Sequence, residues 1–288
     1  MTRLLGLYRE KQYSPGRHQS NDALLLEQVA DRLRDRDFAI DLIAIDRARA
    51  PEPAWDDAAL VFSMCQGRAA LELLGGWEDS GAQIVNSPRA ALNTYRDRLP
   101  ALMVRAGVPF PATEIVPTTG EVALQAMTDE GVWLKRGDVH ASVTADVQRI
   151  DSLAALEAGR AEFASRGIGV AAVQAHRSGD EIKFYGVGHA PSLFFHWFYS
   201  GPSRQHAFDR SALPRLAARA AAAAGLEIFG GDVIVSPGGE LTLIDLNDWP
   251  SFAPCRERAA DAIAHYLTRR VHAAWNPGLV SSANESAV

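Results

Sequence analysis

Cysteine is nearly missing from this sequence: Cys65 and Cys255 are the only two, they lie far apart, and no Cys-x-x-Cys pair occurs. That argues against a disulfide framework or a thiolate metal cluster and fits a reducing cytoplasm. Lysine is almost as scarce, present only as Lys11, Lys135 and Lys183 among plentiful arginines. Positive charge is not in excess. The formal net charge is -6, so no nucleic acid and no anionic membrane is expected as a partner. No run of about 18 apolar residues occurs, so no membrane span is expected. The opening stretch breaks its apolar residues with charge too early for a signal peptide. What is present is 288 residues at 47% hydrophobic composition, enough for a core divided over two or three lobes.

The first 87 residues alternate strand and helix signals. Leu4–Tyr8, Phe38–Ile45, Leu60–Met64 and Gln83–Asn86 read as strands. Asp22–Asp35 carries Leu25, Leu26, Val29, Ala30 and Leu33 at helical spacing, and Ala69–Trp77 reads as a second helix. This order predicts an α/β lobe with a largely parallel sheet. A helix over Arg89–Arg105, kinked or divided at Pro100, follows. Beyond it, strands are expected at Thr113–Val116, Val132–Lys135, Val170–His176 and Glu181–Val187. Helices are expected around Glu121–Thr128 and over Ser152–Ser165, Leu213–Ala224 and Asp261–Val271, with Gly225 as a helix stop. Phe229–Val235 and Glu240–Leu246 read as a hairpin around Ser236-Pro-Gly-Gly239. The predicted organisation is an N-terminal lobe (1–87), a central lobe (88–174), a C-terminal lobe (175–275) and a flexible tail (276–288).

The hairpin carries the most chemistry. Side chains alternate along a strand, so Asp245 and Asn247 share a face. If Val235 pairs with Glu240, Asp232 falls opposite Leu243 and joins them, while Val233, Val235, Ile244 and Leu246 take the other face. Two carboxylates and an amide carbonyl form an all-oxygen set of the kind hard Mg²⁺ prefers. The same residues are also common where a strand simply ends in a turn.

With the Trp-Pro-Ser-Phe that follows, this stretch resembles the C-terminal signature of the ATP-grasp enzymes: an acid on one strand, an acid-x-Asn set on the next, then proline. The resemblance makes Asp232, Asp245 and Asn247 the ligands of Mg²⁺ or Mn²⁺ bridging the phosphates of ATP. It implies an N-terminal Rossmann-like lobe and two lobes clasping the nucleotide. This chain has Pro250-Ser251 where the family usually continues with glycine.

Upstream, Asn86-Ser-Pro, Arg98 and Gly107-Val-Pro-Phe-Pro111 also resemble the family, with Arg98 where a lysine is usual. By the same resemblance Lys135 meets the phosphates from the central lobe, and Gln174, Ala175 and His176 form the hinge that reads adenine. Lys183 just after it contacts phosphate or acceptor. The loop from Arg136 to Asp146 has one glycine where the family is often glycine-rich, so Arg136, His140 and Ser142 are candidate donors. Lys135 and Lys183 have a plainer reading as exposed strand residues with snorkelling stems, and His140 as an exposed loop histidine. Cys65 reads as an inert buried thiol. His189, His196 and His206 have no zinc spacing and sit in an aromatic segment read as core or acceptor pocket, with Arg204 and Arg210 beside it. The likeness is to glutathione synthetase-type carboxylate-amine ligases, and Ile-Asp-Leu-Asn also resembles inositol phosphate kinases. It implies an ATP- and Mg²⁺-dependent ligase, with Lys183 and Arg98 acting on the reacting groups, or else a small-molecule kinase. The acceptor would be a small molecule or peptide, and the family admits a homodimer.

Overall fold

Three four-stranded sheets, each covered by helices, organise the chain. The computed structural model describes residues 1–14, 17–45, 55–121, 130–141, 143–202 and 205–275. The helix expected around Glu121–Thr128, beyond its first residue, lies outside them, as do Ser142, Arg204 and the tail 276–288.

The first sheet is parallel, in the order β2-β1-β3-β4, from β1 (Thr2–Tyr8), β2 (Phe38–Ala44), β3 (Leu60–Ser63) and β4 (Ile84–Val85). Its middle strands are apolar on both faces, as a parallel sheet covered by helices requires. Helix α1 (Arg17–Arg34) lays Leu25, Leu26, Val29 and Leu33 against one face. Helix α2 (Arg68–Asp79) lays Leu74 and Trp77 against the other.

The helix expected over Arg89–Arg105 is two helices, α3 (Pro88–Asn93) and α4 (Leu99–Arg105). Ser87 caps the first, its Oγ accepting from the amide of Arg89. The break lies at Thr94–Arg98, before Pro100. There Pro100 occupies the first turn of α4, where a missing N–H costs nothing.

The second sheet is antiparallel, in the order β5-β8-β6-β7. It contains β5 (Thr113–Pro117), β6 (Val132–Arg136), β7 (Val147–Ile150) and β8 (Val170–Ala175), with α5 (Leu153–Ser165) against one face. β7 is a short edge strand that sequence patterning did not pick out.

The third sheet, in the order β10-β9-β11-β12, is also antiparallel. Its strands are β9 (Asp180–Val187), β10 (Phe194–Tyr199), β11 (Ile228–Val235) and β12 (Leu241–Asp248), with α6 (Ala212–Ala224) on its core face. Gly225 ends α6 in the left-handed conformation, φ 81°. The aromatic segment 194–199 is therefore an edge strand.

The last helix, α7 (Arg256–Trp275), begins at Arg256 rather than Asp261. It returns to α1, and Ala259, Ile263 and Leu267 complete the core of the first sheet. Among the described residues, no helix is long and apolar enough to cross a membrane.

One side chain ties the first sheet to the third. The carboxamide of Asn86 donates to the Ile228 carbonyl (2.7 Å) and to Asp248 Oδ1 (2.5 Å). Its oxygen accepts from the amides of Glu227 (2.7 Å) and Ile228 (3.0 Å). Both ends of a buried amide are thereby satisfied.

Candidate functional site

Strands β9, β11 and β12 turn one set of apolar residues toward α6 and turn Lys183, Asp232, Asp245 and Asn247 toward the opposite face. Ile182, Phe184, Val233, Val235, Leu243 and Leu246 are all fully buried in the core. The register differs from the one expected. Val235 pairs with Leu241 and Val233 with Leu243, then the ladder shifts and Asp232 lies opposite Asp245, with Gly230 opposite Asn247. Ile244 has no ladder partner of its own. This is a β-bulge, one extra residue on β12.

The bulge corrects one side of the expected pattern. Leu243 takes the core position foreseen for Ile244, and Ile244 faces the cleft beside Asp245. Asp232, Asp245 and Asn247 nonetheless line one cleft together. The carbonyl of Ile244, freed from the ladder, accepts from Lys135 Nζ (3.2 Å) and Gln174 Nε2 (3.3 Å) on the second sheet. The bulge thus joins the two sheets at the floor of the cleft.

That cleft has a volume of about 620 Å³. It brings together Lys135, His140, Gln174, Ala175, His176, Lys183, Asp232, Asp245 and Asn247 from segments more than 100 residues apart in the chain. Trp133 donates from Nε1 to Nδ1 of His176 (3.1 Å), which leaves the proton of the neutral imidazole on Nε2. His140 contacts Thr94 Oγ1 through Nε2 (2.9 Å), and its buried Nδ1 has no partner among the described residues.

The charges are paired. Lys183 Nζ lies 2.8 Å from Asp232 Oδ1 and 3.1 Å from Glu181 Oε1. Arg96 donates from Nη2 to Asp245 Oδ2. Burial works against each charge. It holds Lys135, 5% exposed, down at about 8, and His140 down at about 3, so the imidazole is neutral. For Asp245 burial raises the pKa, but Arg96 and Lys135 outweigh it and hold the carboxyl at about 2. Lys183 loses by burial and gains more from Asp232 and Glu181, so its pKa rises.

Arg98 does not join this group. It stands at the start of α4, exposed, and lines no part of the cleft. Arg96, two residues earlier in the turn between α3 and α4, is 6% exposed and lines it. A tight turn sends side chains two apart in different directions, and the motif spacing carries no record of that turn. Arg136 also stays out of the cleft, paired with Asp138 and Asp146. Arg210 lies over the ring of Trp197, and His189, His196 and His206 do not line the cleft. Cys65 is buried, its thiol pushed up to about 12 by desolvation.

Beyond Asn247 the cleft meets a smaller space of about 240 Å³, which shares His140, Ala141 and Asn247 with it and adds Arg9, Gln66 and Ser251. Arg9, Tyr13 and Asp22 in turn border a cavity of about 690 Å³ beside the first sheet, lined by residues between Tyr8 and Ala70.

Three buried or half-buried cations (Arg96, Lys135 and Lys183), three carboxylates (Glu181, Asp232 and Asp245) and the carboxamides of Gln174 and Asn247 converge between two sheets. Among the described residues, no group of three or more His, Cys, Asp or Glu side chains is placed to hold a metal. Asp232, Asp245 and Asn247 offer oxygen donors only, a chemistry that fits Mg²⁺ or Mn²⁺.

No family model matches this sequence, and neither does any curated protein. Solved structures do match. A RimK domain ATP-grasp protein from Sphaerobacter thermophilus superposes with a TM-score of 0.68 at 16% identity, over 91% of this chain and 98% of that one. The D-alanine-D-alanine ligase of Coxiella burnetii gives 0.72 at 12% identity, over 99% and 100%. The D-Ala:D-Ser ligase VanG of Enterococcus faecalis gives 0.68 at 14%, over 94% and 99%. The chain has the ATP-grasp fold.

Proposed function

We propose that this protein is an ATP- and Mg²⁺-dependent ligase that joins a carboxylate to an amine through an acyl phosphate. The observation that carries the reading is the convergence of Lys135, Lys183 and Arg96 on the face that also bears Asp232, Asp245 and Asn247. The fold around them is shared with ligases. Similar folds host different reactions, so the chemistry is set by the side chains of the site.

In this reading ATP lies along the cleft. Its base sits near Gln174, Ala175 and His176, and its phosphates near Lys135 and Lys183. Arg96 takes the phosphate-binding part that motif spacing assigned to Arg98. Asp232, Asp245 and Asn247 would hold Mg²⁺, which supplies charge neutralisation on the β- and γ-phosphates. The γ-phosphoryl group passes to a carboxylate oxygen, leaving ADP. The amine then attacks the acyl carbon, expels phosphate and loses a proton. None of these steps needs a covalent enzyme intermediate, so the side chains act by positioning and charge stabilisation. The acceptor is a small molecule or peptide that enters from the space beyond Asn247.

The test is a panel of carboxylates and amines, singly and in pairs, with ADP and inorganic phosphate both measured. A ligase releases the two in equal amounts only when a carboxylate and an amine are present together. ADP formed with one acceptor and no free phosphate would make the protein a kinase. No acceptor-dependent turnover with any pair would remove the enzymatic reading.

A further inference from the structure

Two pairings in the cleft have a consequence for how it fills. Asp232 already has Lys183 against it, and Asp245 already has Arg96. Setting aside Arg177, exposed at the mouth, the lining holds three cations, Arg96, Lys135 and Lys183, and three carboxylates, Glu181, Asp232 and Asp245. The charge is balanced without any ligand.

The Arg96 guanidinium is only partly used. Nη2 is spent on Asp245, while Nε and Nη1 are buried with no hydrogen-bond partner among the described residues. Buried donors left over on a planar, permanently charged fork are suited to an anion's oxygens. The turn that carries Arg96 is anchored, because the amide of Asp97 donates to the Gly137 carbonyl (3.1 Å). A change of partner by the guanidinium would thus need rotation of the side chain alone.

We propose that Arg96 is an exchangeable counterion. It holds Asp245 until a divalent cation takes that carboxylate, and it then turns to the phosphates of the nucleotide. The inference rests on the nucleotide and metal reading above. A metal ion arriving alone must displace Arg96 and leave a buried cation unpaired, which is strongly unfavourable. A nucleotide arriving alone brings its phosphates against Asp232 and Asp245. Arriving together, the cation covers the carboxylates and the phosphates cover the released guanidinium. Metal and nucleotide thus raise each other's affinity, and by linkage they do so by the same factor. Arg96 acts on the metal through Asp245 and is a positioning residue in that respect.

The experiment is a Mn²⁺ titration of the full chain followed by electron paramagnetic resonance, with and without the β,γ-imido analogue of ATP. The wild-type chain is expected to bind Mn²⁺ at least about tenfold more tightly with the analogue than without it. Arg96→Met is expected to shift the two ligands in opposite directions. Mn²⁺ alone binds at least about tenfold more tightly, because Asp245 has lost its competitor, and the analogue binds about tenfold more weakly. A merely structural arginine would weaken both. Adding Asp245→Asn to Arg96→Met should abolish the gained Mn²⁺ affinity.

Equal Mn²⁺ affinity of the wild type with and without analogue overturns the proposal, and that result needs no variant to fold. So does an Arg96→Met chain, folded by circular dichroism, that binds Mn²⁺ alone no better than the wild type. If the wild type binds neither ligand even when both are supplied, the nucleotide reading itself falls, and this inference with it.

Discussion

The two faces of the third sheet are made by the same strands and obey opposite rules. On the core face, Ile182, Phe184, Val233, Val235, Leu243 and Leu246 are fully buried against α6 and its neighbours. On the cleft face, Lys183, Asp232, Asp245 and Asn247 hold charge or polarity toward the cavity. Each buried apolar side chain contributes about 1.5–3 kcal/mol. A one-residue slip would forfeit that on every strand involved. The core face therefore sets the register, and the cleft face is carried along with it. The bulge at Ile244 is the one place where β12 obeys both at once. It keeps Leu243 and Leu246 in the core and still brings Asp245 opposite Asp232.

This contrast can be broken from either side. Phe184→Ala removes a fully buried ring from the core face and should cost about 3–5 kcal/mol in urea denaturation. Asp245→Asn leaves the core face intact. It should lower nucleotide turnover at least about 10³-fold, roughly 4 kcal/mol of transition-state stabilisation, with the circular dichroism spectrum unchanged. Retained activity in that variant would remove Asp245 from the working set.

Gly231 tests the seam between the faces. A β-carbon there would meet the backbone oxygen of Asp245 at 2.5 Å and the Phe184 ring at 2.6 Å. Gly231→Ala should therefore cost about 1–3 kcal/mol of stability and weaken nucleotide binding together, because the bulged strand must shift.

His140 sharpens the comparison through pH. Burial lowers its pKa from 6.5 to about 3 in the folded protein. Between those values the unfolded chain binds a proton that the folded chain refuses, so stability is lost as pH falls below 6.5. The expected slope is at most about 1.4 kcal/mol per pH unit. His140→Gln should flatten that slope in melts run between pH 7 and 4.5. An unchanged slope would mean that His140 is not held neutral. The smallest effect is expected at Arg98, which is exposed and outside the cleft. Arg98→Ala should alter stability by no more than about 0.5 kcal/mol and leave nucleotide affinity as it was. A large loss of affinity there would return Arg98 to the site.

Periodicity by itself determined much of this protein. Apolar spacing marked α1, the alternation of strand and helix signals marked the parallel sheet, and Gly225 marked a helix end. The two-residue spacing of Asp245 and Asn247 put them on one face whatever the register. The scarcity of lysine drew attention to Lys135 and Lys183, which both line the cleft. These features depend on local geometry, which a sequence encodes directly.

Tertiary structure alone decided the rest. The hairpin register and its bulge depend on which side chains pack under α6. Whether Arg96 or Arg98 reaches the cleft depends on how the turn after α3 is set, where Tyr95 and Leu99 are buried. β10 escaped notice because its six half-buried residues, five aromatic rings and a histidine, show no alternation of apolar and polar. Asn86, read as part of a motif, proved to be the clamp between two sheets. In each case the deciding contact joins residues distant along the chain, and no local pattern specifies such a contact.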